Sequence, residues 1–171
     1  MSEHPYRINV HDLMHRPGQM RELELDFEIP SDLGESIVRV NKGTVLELDL
    51  RLESVHEGIL ATADLFTKAS GECSRCLDPL NIPLEVDFQE LFAYSFTNED
   101  EFVVQDEQID LEQAIRDAVV LSLPYHPLCS TDCLGLCPEC GVKLADNPQH
   151  AHEKAIDSRW SALEGFSKKE E

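Results

Sequence analysis

At 171 residues the chain has the length of one domain, or of one domain with a small appended module, and its 42% hydrophobic content is enough to fill a core. Lysine and arginine number 14 against 34 aspartates and glutamates, a formal net charge of −20, which argues against a broad face for nucleic-acid phosphates and favours basic partners. No apolar stretch nears the roughly 20 residues that span a bilayer. The opening MSEHPYRINV also lacks the basic start and apolar run of a signal peptide, so a cytoplasmic protein without membrane contact is expected.

The first half alternates as strands do. Leu23, Leu25, Phe27 and Ile29 are interleaved with Glu22, Glu24, Asp26 and Glu28, which predicts one buried and one charged face. The same period of two returns in TVLELDLRLES, where Leu46, Leu48, Leu50 and Leu52 alternate with Glu47, Asp49, Arg51 and Glu53. His56, Glu57 and Gly58 suit a turn into GILATADLFTKASGEC, the expected hairpin partner, which runs straight into the first cysteine pair. A further strand is expected in NIPLEVDFQE, with Pro83 marking an edge position or the strand's start. The acidic stretch 97–108 reads as a solvated loop with room for a short strand. Asp110 stands where an N-cap belongs, with Gln113 three residues on. Leu111, Ala114, Ile115, Ala118, Val119 and Ser122 then keep helical spacing up to Pro124, which predicts a helix over 111–123. A short helix near Asp157 to Phe166, with Trp160 and Leu163 packing back, precedes a charged tail.

All six cysteines fall into close pairs: Cys73 with Cys76, Cys129 with Cys133, and Cys137 with Cys140. Two thiolates separated by two residues at a tight turn can face one ion about 2.3 Å from each sulfur, the arrangement of tetrahedral structural zinc. Disulfides conflict with the missing signal peptide, and a thioredoxin-like reading of CSRC conflicts with its position after a hairpin strand. Six sulfurs do not fill a whole number of four-ligand sites. His150 and His152 raise the donor count to eight, allowing one site of Cys137, Cys140, His150 and His152 and a second of Cys73, Cys76, Cys129 and Cys133. The plainer alternative is a single ribbon of Cys73, Cys76, Cys137 and Cys140 with the CSTDC pair free. Neither leaves an open coordination position beside a general base, and Glu139 within CPEC reads as a solvent-facing turn residue. His4, His11, His15, His56 and His126 have no partner at ligand spacing. The chain also contains no GxSxG, HExxH or phosphate-cradling glycine loop, so no enzyme site is expected.

CSRCLDPL after a hairpin, an acidic loop, a helix ending LSLPYHPLC, then DCLGLCPECGVKL and a terminal IDSRWSAL together resemble the YceD family, over most of the chain. The resemblance implies a role in large-subunit ribosomal RNA accumulation and ribosome assembly. The implied partner is a large-subunit precursor or a basic ribosomal protein, with direct RNA contact left open. Relatives carrying GLCPxCG often follow it with a CxC pair; here His150 and His152 stand at those positions, a replacement zinc accepts. The competing readings are a zinc-ribbon nucleic-acid binder and a thiol redox switch. Between Cys129 and His152 only Lys143 is basic against Asp132, Glu139 and Asp146, which counts against the first.

The expected architecture is α+β: an antiparallel β-sheet or partly open barrel with one main amphipathic helix and a C-terminal zinc-knuckle segment. The β-rich core with its helix is expected over 1–124, and the knuckle segment with a C-terminal helix over 125–171.

Overall fold

The computed structural model describes residues 4–34, 37–95 and 102–152. The expected helix at Asp157 to Phe166 lies outside the described residues, as does the part of the acidic stretch between 97 and 101.

The alternating leucines do what their period dictates. Strands β1 (Arg7–Asn9), β2 (Met20–Glu28), β3 (Val38–Arg39), β4 (Val45–Ser54), β5 (Gly58–Glu72), β6 (Pro79–Ala93) and β7 (Gln108–Asp110) precede helix α1 (Glu112–Ser122). β5 is the spine of a five-stranded sheet. On one side it pairs antiparallel with β4, from Glu47–Phe66 to Ser54–Ile59, and further along with β3 at Val38–Gly71. On the other side β6 accompanies it for its whole length, from Gly58–Ala93 to Glu72–Pro79. β2 lies outside β4. β2 and β6 form no ladder with each other among the described residues, so the sheet is open and no barrel is closed.

One face of the sheet carries Leu46, Leu48, Leu50 and Leu52 from β4 and Ile59, Ala61, Ala63 and Leu65 from β5, all at most 2% exposed. Leu84, Val86 and Phe92 of β6 join the same core. Burying a leucine fully is worth about 1.5–3 kcal/mol, so this row alone decides which face turns inward. Leu23, Leu25 and Phe27 on the outermost strand are only half-buried, and Ile29 just beyond it is fully so. Pro83 lies within β6, whose outer edge is unpaired, so its missing N–H deprives no neighbouring strand of a hydrogen bond.

α1 packs against β6 through Ala114, Ile115 and Val119. It begins one residue later than expected and ends one earlier. Leu111 occupies the cap position, but the Asp110 carboxylate still accepts a hydrogen bond from the Glu112 amide at 3.0 Å. The acidic stretch ends in structure, not in open loop. Asp106 and Glu107 both take positive φ (49° and 61°), and Gln105 and Gln108 exchange both main-chain hydrogen bonds around them. That tight turn delivers β7, which pairs with β1 through Arg7–Asp110, Ile8–Ile109 and Asn9–Gln108. No helix among the described residues is long and apolar enough to cross a membrane.

Candidate metal centres

The β5–β6 hairpin closes at its tip on CSRCLD. The Cys73 amide donates to the Asp78 carbonyl at 2.8 Å, and the Leu77 amide returns to the Cys73 carbonyl at 2.9 Å, with Leu77 at φ 61°. The segment CPECGV repeats this scaffold. The Cys137 amide donates to the Val142 carbonyl and the Gly141 amide to the Cys137 carbonyl, both at 2.8 Å, with Gly141 at φ 72°. Glycine takes this left-handed conformation without steric cost, whereas leucine does not.

Around these two turns the sequence-predicted residues gather into two groups: Cys73, Cys76, Cys129 and Cys133, and Cys137, Cys140, His150 and His152. Within each group the donor atoms lie within 4.8 Å of one another. Cys137 and Cys140 thus stand with the histidines and not with Cys73 and Cys76, so the side chains do not adopt the single-ribbon arrangement.

In the first group the sulfurs of Cys73 and Cys133 are 3.9 Å apart and those of Cys76 and Cys129 3.6 Å. An ion about 2.3 Å from each of four sulfurs would hold them about 3.8 Å apart, whereas a disulfide would bring two to about 2.05 Å. The cysteines are free thiols with tetrahedral spacing. In the second group Cys140 Sγ lies 3.2 Å from His150 Nε2 and 3.3 Å from His152 Nε2, and the two Nε2 atoms are 2.8 Å apart. These separations are a little inside the edges of about 3.3–3.6 Å expected around a tetrahedral ion. Both donor sets fit a thiophilic, four-coordinate metal.

Main-chain amides prepare one thiolate in each group. The Cys73 thiol is held down to about 6, first by the Cys76 amide and also by those of Arg75 and Cys129, against the opposing effect of burial. The amides of Cys140 and Glu139 hold Cys137 down to about 6 in the same way. Cys129 is pushed up by the adjacent Cys133 thiol, and Cys133 by burial. One charge per site is therefore stabilised by the fold, and a cation is the natural counterweight to the remainder.

Four residues that ligand spacing did not reveal surround these centres. Arg75 donates from Nη1 to the Cys133 carbonyl at 2.9 Å, and its own carbonyl accepts the Leu136 amide at 3.0 Å. Asp78 accepts from Cys76 Sγ at 3.5 Å and pairs with Lys143; that lysine first, then Cys76, holds its carboxyl below the ordinary carboxylate range. Glu139, expected to face solvent, remains largely exposed but lies 3.3 Å from His152 Nδ1. A carboxylate there fixes the ring so that Nε2 faces the ion. The Ser74 amide adds a hydrogen bond to the Pro127 carbonyl at 2.8 Å, which joins the hairpin tip to the segment after the helix.

His4, expected to have no partner, stands near Asp110 and Glu112. Arg7 meets Asp110 at 3.1 Å and Arg116 meets Glu112 at 3.7 Å, so charge there is already balanced by arginine.

A structural body of antiparallel strands ending in paired Cys and Cys/His centres, without a catalytic constellation, describes a class of small non-enzymatic proteins. Residues 61–167 match the family model described as large ribosomal RNA subunit accumulation protein YceD, and the chain belongs to the YceD family. That family is a non-catalytic class, and the protein is accordingly not an enzyme. An uncharacterised protein of Mycobacterium tuberculosis is 46% identical over 166 residues, covering 93% of this chain and 80% of its own length. One of Mycobacterium leprae is 37% identical over 166 residues, covering 93% and 76%. The uncharacterised protein YlbN of Bacillus subtilis is 26% identical over 153 residues, covering 80% and 88%. No solved structure matches the chain.

Proposed function

We propose that this protein is a non-enzymatic cytoplasmic factor that supports large-subunit ribosomal RNA accumulation and ribosome assembly, with structural zinc in both Cys and Cys/His centres. The observation that carries the reading is the family match, whose residues 61–167 include the spine strand and all eight metal-donor side chains. The net charge of −20 supports a basic ribosomal protein, or a precursor particle that exposes one, as the partner. In this reading residues 1–124 are a core that folds by burial, and 125–171 a segment ordered by metal. Direct RNA binding through the knuckles is disfavoured, because Lys143, the one basic residue between Cys129 and His152, is already paired with Asp78.

Two measurements test the proposal. In cells depleted of the protein, the ratio of large-subunit to small-subunit ribosomal RNA should fall and recover when the chain is supplied again. An unchanged ratio sinks the function. Elemental analysis should give two zinc equivalents per chain, falling to one in a His150→Ala, His152→Ala variant; one equivalent unaffected by those substitutions would remove the second centre.

A further inference from the structure

The outward face of the sheet is built against its own electrostatics. The register aligns Glu24 of β2 with Asp49 of β4, Asp49 with Asp64 of β5, and Asp64 with Asp87 of β6, so one row crossing four strands is entirely carboxylate. All four side chains are exposed, and among the described residues none takes part in an ion pair. Like charges directly opposite one another destabilise a sheet. A solvated face needs polar residues, not a row of a single sign.

The adjoining row supplies an observation independent of charge. It runs Asp26, Glu47, Phe66, Glu85, and places a 36%-exposed phenylalanine between two carboxylates. Phe66 lines a groove of about 550 Å³ with Val45, Glu47, Pro83 and Glu85. An aromatic face flanked by carboxylates is a seat for a guanidinium or ammonium group, which gains ring and ion-pair contacts together. Along β2, Glu22, Glu24, Asp26 and Glu28 repeat at about 6.8 Å, the spacing of alternate residues in any extended chain.

We infer that this sheet face, and not the cysteine-rich end, is the docking surface for the protein's partner, and that it takes an extended Arg/Lys-rich protein segment with a basic side chain seated on Phe66. The inference rests on the proposed basic partner and assigns it a place. Binding is led by charge and is therefore steep in salt.

The test titrates the full chain, zinc loaded, with a synthetic peptide carrying arginine at alternate positions, at low salt and at 0.5 M salt. The face variant Asp49→Asn, Asp64→Asn, Asp87→Asn is compared with Glu57→Gln, Asp106→Asn, Asp117→Asn, which removes equal charge elsewhere. The face variant should lose at least tenfold in affinity and the control less than twofold, with Phe66→Ala losing about fivefold. Relief of repulsion should raise the melting temperature of the face variant, so lost binding cannot be attributed to unfolding. Equal weakening by both triple variants, or weakening by neither, overturns the inference. Pull-down from lysate separates it from the functional proposal. If the face variant recovers large-subunit proteins as well as the native chain does, the surface assignment fails and the function stands. If the peptide binds this face but no large-subunit component is recovered, the function fails and the surface stands.

Discussion

The sheet body and the cysteine-rich end of this protein are ordered by different physics. In the body, aliphatic side chains from β4, β5 and β6 are almost fully withdrawn from water. Between residues 125 and 152 only Pro127, Gly135 and Cys137 are buried, while Tyr125 and Leu134 are 87% and 60% exposed. Burial cannot offset the ordering of that segment, which costs about 1–2 kcal/mol per residue. Converging donor atoms can, if an ion joins them. The difference teaches that one chain can carry a cooperative core and an end whose order is conditional on a ligand.

The strongest way to break this comparison is to remove metal. Chelation should forfeit on the order of 10 kcal/mol of apparent binding free energy per site and expose residues after Pro124 to protease while the strand core stays intact. Cys137→Ser should do the same for its own centre. Loss of the strand signal together with the end would show one cooperative unit instead of two regimes. The converse cut is Leu50→Ala, at a leucine 2% exposed in mid-sheet. It should cost about 3 kcal/mol in denaturant unfolding and leave zinc stoichiometry unchanged.

Smaller changes sharpen the contrast. Glu139→Gln should weaken metal at the Cys137 centre about 10- to 100-fold and leave the Cys73 centre alone, as competition with a chromophoric chelator would measure. In the metal-free protein, Cys73 and Cys137 are held to about 6 against an ordinary 9.0. Their thiolates therefore contribute stability that is fully present above pH 9 and is lost as pH falls through about 6. Protection of the Leu77 and Gly141 amides against hydrogen exchange, corrected for intrinsic rates, should accordingly be greater at pH 8 than at pH 6. The smallest effect belongs to Leu77→Gly. Leucine holds a left-handed conformation there while 58% exposed, so glycine should stabilise the first turn by about 1 kcal/mol.

Period-two alternation made β2, β4, β5 and β6 readable, because each presents a long row to one core. β1, β3 and β7 span only two or three residues and are set by distant pairing, which leaves no local pattern. β6 extends past the anticipated NIPLEVDFQE through Leu91, Phe92 and Ala93, because β5 continues opposite it as far as Gly58. The division of the donors into two groups followed from ligand arithmetic and chain proximity. Arg75, Asp78, Glu139 and Lys143 were not legible, since their partners are fixed only once the hairpin tip meets residues 127–143.

The pairing of β1 with β7 has a temporal side. Arg7 meets a partner 103 positions downstream, whereas β4, β5 and β6 are consecutive and close through short turns. During synthesis the three central strands emerge in order and can zip together, but the N-terminal strand must wait until residue 110 is free. Long loop closures are slow, so this ladder is expected to be among the last pieces to form, and folding finishes where translation began.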